Sequence, residues 1–316
     1  MKTVCVTGGA GFIGSHVCQR LINDGYAVVC IDNFLTGSEK NLNNFSSNKH
    51  FQLIRQDVTE QLPRLPQIDY IFHLASPASP NHHSSISYHA LALETMMVNT
   101  VGTHAMLKLA LKNKARFMFA STSEVYGDPD VHPQPESYKG NASTTGPRSV
   151  YDEAKRFGET LTAYYCRSKE VDTRIVRIFN TYGPHMLLED KRMIVNFITQ
   201  ALNNKPITIY GNGLQTRSLC YVDDLVEGLM RYMFHDSLAG EIINLGNPEE
   251  HSVKEYAEVI KQLVGSKSDI ALSEELPEDD PQKRQPDISK AKRILSWEPT
   301  INLETGLRKT IEYFKT

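Results

Sequence analysis

The chain has 316 residues, about twice the size of a typical single domain, so one large domain with an appendage, or two domains, is expected. Its 40% hydrophobic and 22% charged residues exclude collagen-like, disulfide-scaffold and disordered classes. The net charge of -3, from 34 Lys plus Arg against 37 Asp plus Glu, offers no basic field for nucleic acid or an anionic membrane, so an anionic ligand has to be held by local groups. Cys5, Cys18, Cys30, Cys166 and Cys220 are scattered and show no CxxC spacing, which predicts a reduced, cytoplasmic protein without a cysteine metal site. No run of about 18 apolar residues occurs, so neither secretion nor a membrane span is expected.

Short β-branched runs alternate with helical patterns through the first 180 residues. Strands are predicted at Thr3 to Thr7, Ala27 to Ile31, Phe51 to Arg55, Tyr70 to Leu74, Arg116 to Ala120 and Thr173 to Ile178. Helices are predicted at Phe12 to Asn23, Leu91 to Lys112 and Tyr151 to Ser168. This is the pattern of an α/β fold with a doubly wound parallel sheet. Beyond Asn180 the alternation fails: a helix from Met193 to Leu202, a short strand from Ile207 to Tyr210 and the Gly211-Asn212-Gly213 turn follow. Glu241 to Leu245 reads as one more strand, and the acidic stretch from Ser273 to Pro281 as a loop before two terminal helices. The expected division is a Rossmann domain of residues 1–180 and 215–246 and a smaller C-terminal substrate-binding domain of residues 181–214 and 247–316.

The first strand runs into Thr7-Gly8-Gly9-Ala10-Gly11-Phe12-Ile13-Gly14. Glycines here let the backbone approach a pyrophosphate, and the helix that follows offers its N-terminal N–H groups. Asp32 ends the second strand, placed to accept from a ribose hydroxyl and to repel a 2′-phosphate, which favours NAD over NADP. Two Tyr-x-x-x-Lys pairs occur, Tyr151 with Lys155 and Tyr165 with Lys169. In each, a lysine ammonium near the phenol would favour its use as a base toward an alcohol. Spacing does not choose between them, but they lie about 21 Å apart along one helix, so only one pair can face a nicotinamide. Tyr151 is favoured because it starts the helix, next to the crevice at the carboxyl edge of the sheet, and Tyr165 reads as structural. Ala120-Ser121-Thr122-Ser123-Glu124-Val125-Tyr126-Gly127 brings hydroxyls and a carboxylate to the same edge.

With these segments in place, the sequence resembles the extended short-chain dehydrogenase/reductases that act on nucleotide sugars, and within them the UDP-glucuronic acid decarboxylases, or UDP-xylose synthases. The resemblance spans essentially the whole chain. It is carried by TGGAGFIG at 7–14, DNF at 32–34, HLASPASP at 73–80, ASTSEVYGDP at 120–129, the Tyr151/Lys155 pair, RIFNTYGP at 177–184, YGNGLQTRSLCYVDDL at 210–225, NLGNPEEH at 244–251 and DDPQKRQPDI at 279–288. The glycine motif and the Tyr/Lys pair belong to the superfamily, while ASPASP, STSEVYGDP, NPEEH and DDPQKRQPDI are more particular to the decarboxylases.

The resemblance implies tightly bound NAD, regenerated in each turnover, with Gly8, Gly11, Phe12, Ile13, Gly14, Asp32, Asn33, Asp57, Val58, Leu74, Ala75, Asn99, Tyr151 and Lys155 binding it. It implies that Tyr151, assisted by Thr122 and Lys155, takes the proton of the sugar's 4-hydroxyl as hydride leaves carbon 4. The resulting 4-keto uronate is a β-keto acid that loses carbon dioxide, and hydride return yields UDP-xylose. Ser123, Glu124 and Arg284 correspond to the residues that serve decarboxylation, and Arg284 is also expected to bind the substrate, its guanidinium able to orient the sugar's carboxylate bidentately. For the nucleotide, Asn180 and Arg217 would bind the diphosphate, Arg192 would lie near the UDP, and Tyr210 would pack along the uracil.

Two reactions of the same superfamily compete with this reading. The 4,6-dehydratases carry an acid where Ser123 stands, and a serine hydroxyl is far too weak an acid to protonate a leaving hydroxyl. The 4-epimerases generally lack a glutamate at position 124 and the DDPQKRQP segment. A third alternative, a non-catalytic NAD-binding sensor, is opposed by the intact Tyr151, Lys155 and Thr122 set. The chain departs from the family between Asn81 and Val98, a segment several residues longer than usual with Ala92 and Glu94 where Pro and Lys are common; in the family this segment covers the sugar. His82 and His83 within it read as exposed loop residues rather than metal ligands. The family's four-helix contact predicts a homodimer through the Leu91 to Lys112 and Tyr151 to Ser168 helices.

Overall fold

A computed structural model describes residues 1–272, 275 and 283–315 of the chain. The strands of its main sheet are β1 (Thr3–Thr7), β2 (Ala27–Asp32), β3 (Phe51–Arg55), β4 (Tyr70–His73), β5 (Arg116–Thr122), β6 (Thr173–Ile178) and β7 (Ile242–Leu245). All pair in parallel, in the order β3-β2-β1-β4-β5-β6-β7. The inner strands are near-continuous apolar runs because helices cover both faces and leave no wet side to demand alternation. Register places Thr7 beside Ile31 and His73, and Thr122 beside Ile178, so the strands' carboxyl ends share one edge. Chain direction across the sheet reverses between β1 and β4, which opens a crevice at that edge.

The helices are α1 (Phe12–Asn23), α2 (Ala92–Met97), α3 (Thr103–Asn113), α4 (Ser149–Lys169), α5 (Met193–Leu202), α6 (Val222–Phe234), α7 (Val253–Val264), α8 (Ser289–Leu295) and α9 (Leu303–Lys315). The single helix expected from Leu91 to Lys112 is interrupted by a π turn over Val98–Gly102. Side chains draw on the helix carbonyls there: Asn99 Nδ2 donates to Thr95 O at 2.8 Å and Thr103 Oγ1 donates to Asn99 O at 2.8 Å. Gly102 then passes so close to Val58 that a Cβ on it would lie 2.9 Å from the valine methyl. A widened turn of this kind recurs beside functional sites.

The chain after β6 builds a second, smaller set of elements over the same edge. Ile207–Ile209 pairs in parallel with Ile270–Leu272, and Thr216–Ser218 pairs antiparallel with Glu250–Ser252. Helices α5 and α7 pack around these strands, and Ser252 with Glu255 forms a reciprocal cap that starts α7. The expected loop from Ser273 to Pro281 lies outside the described residues except at Glu275, as do residues 279–282 of the DDPQKRQPDI segment.

Candidate active site

The β1–α1 turn forms a cradle that only glycine tolerates. Gly8 has φ +70°, and a Cβ on it would meet the Ala75 backbone at 2.8 Å; a Cβ on Gly14 would lie 2.0 Å from Gly8 O. Asp32 fastens this turn: one carboxylate oxygen accepts from Ala10 N at 2.9 Å and the other from Phe34 N at 2.8 Å. A carboxylate has about four acceptor positions, so two remain for a ribose. Asn33 Nδ2 donates to Asp57 at 2.8 Å. Burial raises the Asp57 carboxyl, but the bonds from Thr59 and Asn33 outweigh it and leave the group below its ordinary value. At Asp32 burial outweighs the bonds from Phe34 and Ala10 and raises the carboxyl; the two carboxyl groups line the cavity as an acceptor-rich, donor-poor rim that suits ribose hydroxyls and not a further phosphate.

All the residues expected to bind the cofactor line this cavity except Asn99. Asn99 is fully buried behind it, donating to Ser76 Oγ at 2.9 Å, with its Oδ1 left without a hydrogen-bond partner among the described residues. At the other end stand Thr122, Glu124, Tyr151 and Lys155. Helix α4 begins at Ser149, two residues before Tyr151, and one turn later presents Lys155 on the same face. Tyr165 is buried against His104, with ring centroids 6.0 Å apart, and Lys169 is exposed at the helix end, so the second Tyr/Lys pair lies away from the cavity.

Lys155 donates to Ala120 O at 2.7 Å and lies 5.7 Å from the centre of the Tyr151 ring. Burial lowers its pKa to about 7, against a smaller opposing pull from Glu159. Burial raises the Tyr151 phenol, and the groups that lower it are Thr122, by hydrogen bonding, and then the Arg192 guanidinium, rather than the lysine. His73 is neutral in the wall beneath, driven to about 3 by burial and then by Lys155, with Thr7 and Thr103 hydroxyls at 2.8 and 3.1 Å from its ring nitrogens.

Glu124 sits where this cavity meets a second one. Its Oε2 accepts from Arg148 and lies 3.4 Å from Arg284 Nη2. Burial pushes the carboxyl up, but the two guanidiniums hold it well below the usual carboxylate range. Arg284, 1% exposed, also donates to the carbonyls of Ser123 and Gly127. Ser123 is buried and lines neither cavity. The second cavity is walled by Arg148, Arg192, Arg217 and Arg284 with Asn180, Tyr210 and Glu124. Arg192 Nε is paired with Asp190 at 3.0 Å. The longer 81–98 segment docks here as well. Asn81 donates to Lys191 O at 2.6 Å, Ser84 to Glu189 O at 2.5 Å, and the His82 ring stacks beside Tyr210 with centroids 6.3 Å apart. Among the described residues, four guanidiniums set against the Glu124 and Asp190 carboxylates make this a site for an anion.

Two residues of the site escaped the sequence reading. Arg148 lines both cavities, and Tyr88 stacks on Tyr151 with centroids 4.7 Å apart and planes 8° from parallel. Arg148 stands three positions before Tyr151, and this nearness was the one signal for it; Tyr88 lies in the atypical segment, where spacing carried no information.

A glycine cradle, an acid-lined ribose end and a Tyr/Lys pair in one crevice match the model of the NAD dependent epimerase/dehydratase family, which covers residues 4–246. The chain belongs to this family. NAD is the cofactor of the family, and the cradle and the Asp32 carboxylate fit it. Over 314 residues the chain is 49% identical to UDP-glucuronic acid decarboxylase 1 of Xenopus tropicalis, covering 99% of this chain and 72% of that protein. It is 49% identical over 312 residues to UDP-glucuronic acid decarboxylase 2 of Arabidopsis thaliana, covering 99% and 68%. Among solved structures, UDP-glucuronic acid 4-epimerase from Bacillus cereus, in complex with UDP-glucuronic acid and NAD, superposes with a TM-score of 0.86 at 30% identity, covering 99% of both chains. The chain thus shares its architecture with an epimerase and more of its sequence with proteins named as decarboxylases.

Proposed function

We propose that this protein is an NAD-dependent UDP-glucuronate decarboxylase that forms UDP-xylose through a 4-keto intermediate. The observation that carries this is Glu124, held ionised between Arg148 and Arg284 at the Tyr151 end of the cavity, with serine rather than an acid at position 123. Identity of 49% to proteins named as decarboxylases supports the same reading.

NAD, when bound, accepts hydride from carbon 4 of the sugar and later returns it. Tyr151 takes the proton of the 4-hydroxyl, with Thr122 stabilising the phenolate by hydrogen bonding. Lys155, anchored on Ala120 O and titrating near neutrality, is poised to exchange that proton. In the 4-keto uronate the bond between carbons 5 and 6 breaks, its electron pair passes into the ketone as an enolate, and carbon dioxide leaves. Tyr151 holds the proton at the carbon 4 oxygen while carbon 5 is reprotonated. As an ionised carboxylate Glu124 accepts rather than donates hydrogen bonds, so it orients the proton carrier at carbon 5 instead of acting as the acid itself. Asn180, Arg192, Arg217 and Tyr210 supply the diphosphate and uracil contacts in this scheme, and Arg284 holds Glu124 in place.

The assembly proposed is a homodimer. Leu93, Met97 and Val101 around α2 and Phe157 and Tyr164 on the adjacent α4 are exposed apolar residues on one side of the fold, which supports a self-complementary contact. A cytoplasmic location is part of the proposal, supported by five free cysteines, four of them buried. The test is to incubate the purified protein with UDP-glucuronate and to identify the product by mass spectrometry and proton NMR. Loss of carbon dioxide with UDP-xylose formed supports the assignment, and an unchanged mass with inversion at carbon 4 overturns it in favour of epimerisation.

A further inference from the structure

Tyr151, Lys155 and Glu159 follow one another at four-residue steps on α4, so their side chains leave the helix on one face. Tyr151 and Lys155 form the proton machinery already described. Glu159 lines neither cavity, and its side chain is 12% exposed. A guanidinium fork takes up both of its oxygens: Arg177 Nε donates to Oε1 and Arg177 Nη2 to Oε2, each at 2.8 Å. Ser121 Oγ adds a third bond, donating to Oε1 at 2.6 Å. Ser121 and Arg177 are register partners on β5 and β6, so one carboxylate on α4 ties the helix to two adjacent strands.

This clamp reaches the reacting groups from two sides. Ser121 directly follows Ala120, whose carbonyl accepts from Lys155 at 2.7 Å. Arg177 Nη1 donates to Tyr126 OH at 3.0 Å, and its guanidinium carbon lies 4.8 Å from the centre of the Tyr126 ring. Tyr126 ends the turn that carries Ser123 and Glu124, and its hydroxyl donates to Asn244 Oδ1 on β7 at 2.8 Å. A bidentate pair fixes orientation as well as distance. Its value to stability is small, since apolar residues of similar volume often replace a buried ion pair at no cost, which leaves its placement and charge as the features to account for.

The charge bears on Lys155. Burial draws that ammonium down to about 7, and Glu159 is the group that opposes the fall. The other groups facing Lys155 are His73 from β4, which is neutral, the Phe119 ring from β5, centred 5.1 Å from Nζ, and the Tyr151 ring from its own helix. Among these, Glu159 alone brings a negative charge while the phenol keeps its proton.

We propose that Glu159, clamped by Arg177 and Ser121, is the positioning residue for Lys155, holding it as an ammonium against the end of β5 where it exchanges the Tyr151 proton. This goes beyond the decarboxylase reading and rests on it for the part that Lys155 plays.

The experiment follows the ε-carbon NMR signal of Lys155 against pH in NAD-loaded protein carrying isotope-labelled lysine, with Lys155→Met identifying the signal. Glu159→Gln is expected to lower the midpoint by about 0.5–2 pH units, the effect of removing one unit charge a single helical turn away. The arm of the kcat profile that titrates with Lys155 moves in the same direction. Glu159→Asp keeps the charge and holds the midpoint close to that of the wild type. Should Glu159→Gln leave Arg177 unpaired and fail to fold, the double variant Glu159→Gln with Arg177→Met removes both charges and is expected to show the same fall. An unchanged or raised midpoint in a folded variant, or an equal fall in Glu159→Asp, overturns the proposal. Because the titration of Lys155 is read without turnover, a wild type that releases no carbon dioxide from UDP-glucuronate refutes the decarboxylase reading, and the effect of Glu159 on Lys155 is still decided by the midpoints.

Discussion

Replacing Glu124 by glutamine keeps the shape of the side chain and removes its charge, leaving Arg148 and Arg284 to face each other across a buried amide. Burial raises the Glu124 carboxyl, yet the two guanidiniums bring it to about 2 from an ordinary 4.5. At about 1.4 kcal/mol per unit, that displacement corresponds to a stabilisation of about 3 kcal/mol. Breaking a buried pair by removing one partner costs about 3–5 kcal/mol by a separate line of reasoning, so the two agree in order of magnitude. Arg284 is itself held below its ordinary value, first by burial, and the figure is therefore a net one for the cluster. The folded-state pKa lies below the unfolded one, so the stabilisation is complete above the unfolded value and is lost as pH falls through the folded value. The wild type should exceed Glu124→Gln by about 3 kcal/mol at pH 7, with the gap narrowing only below the unfolded carboxyl's range. Urea unfolding followed by emission of Trp297, the single tryptophan and 2% exposed, reads this directly. A difference under about 1 kcal/mol at pH 7, the size expected of an exposed pair, would refute the reasoning.

Tyr151→Phe should abolish turnover while leaving NAD bound, since the ring lines the cavity but the hydroxyl alone handles the proton; turnover like the wild type's would remove Tyr151 from the chemistry. Gly14→Ala would place a methyl 2.0 Å from Gly8 O, so the purified variant should carry no NAD by absorbance and mass spectrometry, and normal NAD content would contradict the cradle geometry. Phe157→Glu puts a charge on a ring that is 49% exposed on α4, and sedimentation should show monomers; an unchanged sedimentation coefficient would exclude that face from the dimer contact.

Much of this molecule follows from local sequence. The β1–α1 turn needs glycines at positions 8 and 14 because backbone atoms fill the space of any Cβ, and the apolar runs of β1, β2, β5 and β6 name themselves as strands buried on both faces. Helix α5 is found at Met193–Leu202, as its period indicates. The π turn inside the predicted 91–112 helix was not legible, because it depends on which carbonyls Asn99 and Thr103 reach once the helix packs against Val58. The Tyr/Lys spacing offered two pairs of equal standing, and position relative to the strand ends separated them; packing put Tyr165 beside His104 and Tyr151 in the crevice. Nor could sequence show that Arg284 is engaged with the Ser123 and Gly127 carbonyls while Arg148 faces both cavities, or that Tyr88 lies flat on Tyr151. Those partners are separated by tens to more than a hundred positions, and no periodicity reports on such distances. Residue types and their local spacing determined the fold class and the cofactor cradle, whereas the pairing of buried charges was decided only where the tertiary structure brought distant segments into one low-dielectric pocket.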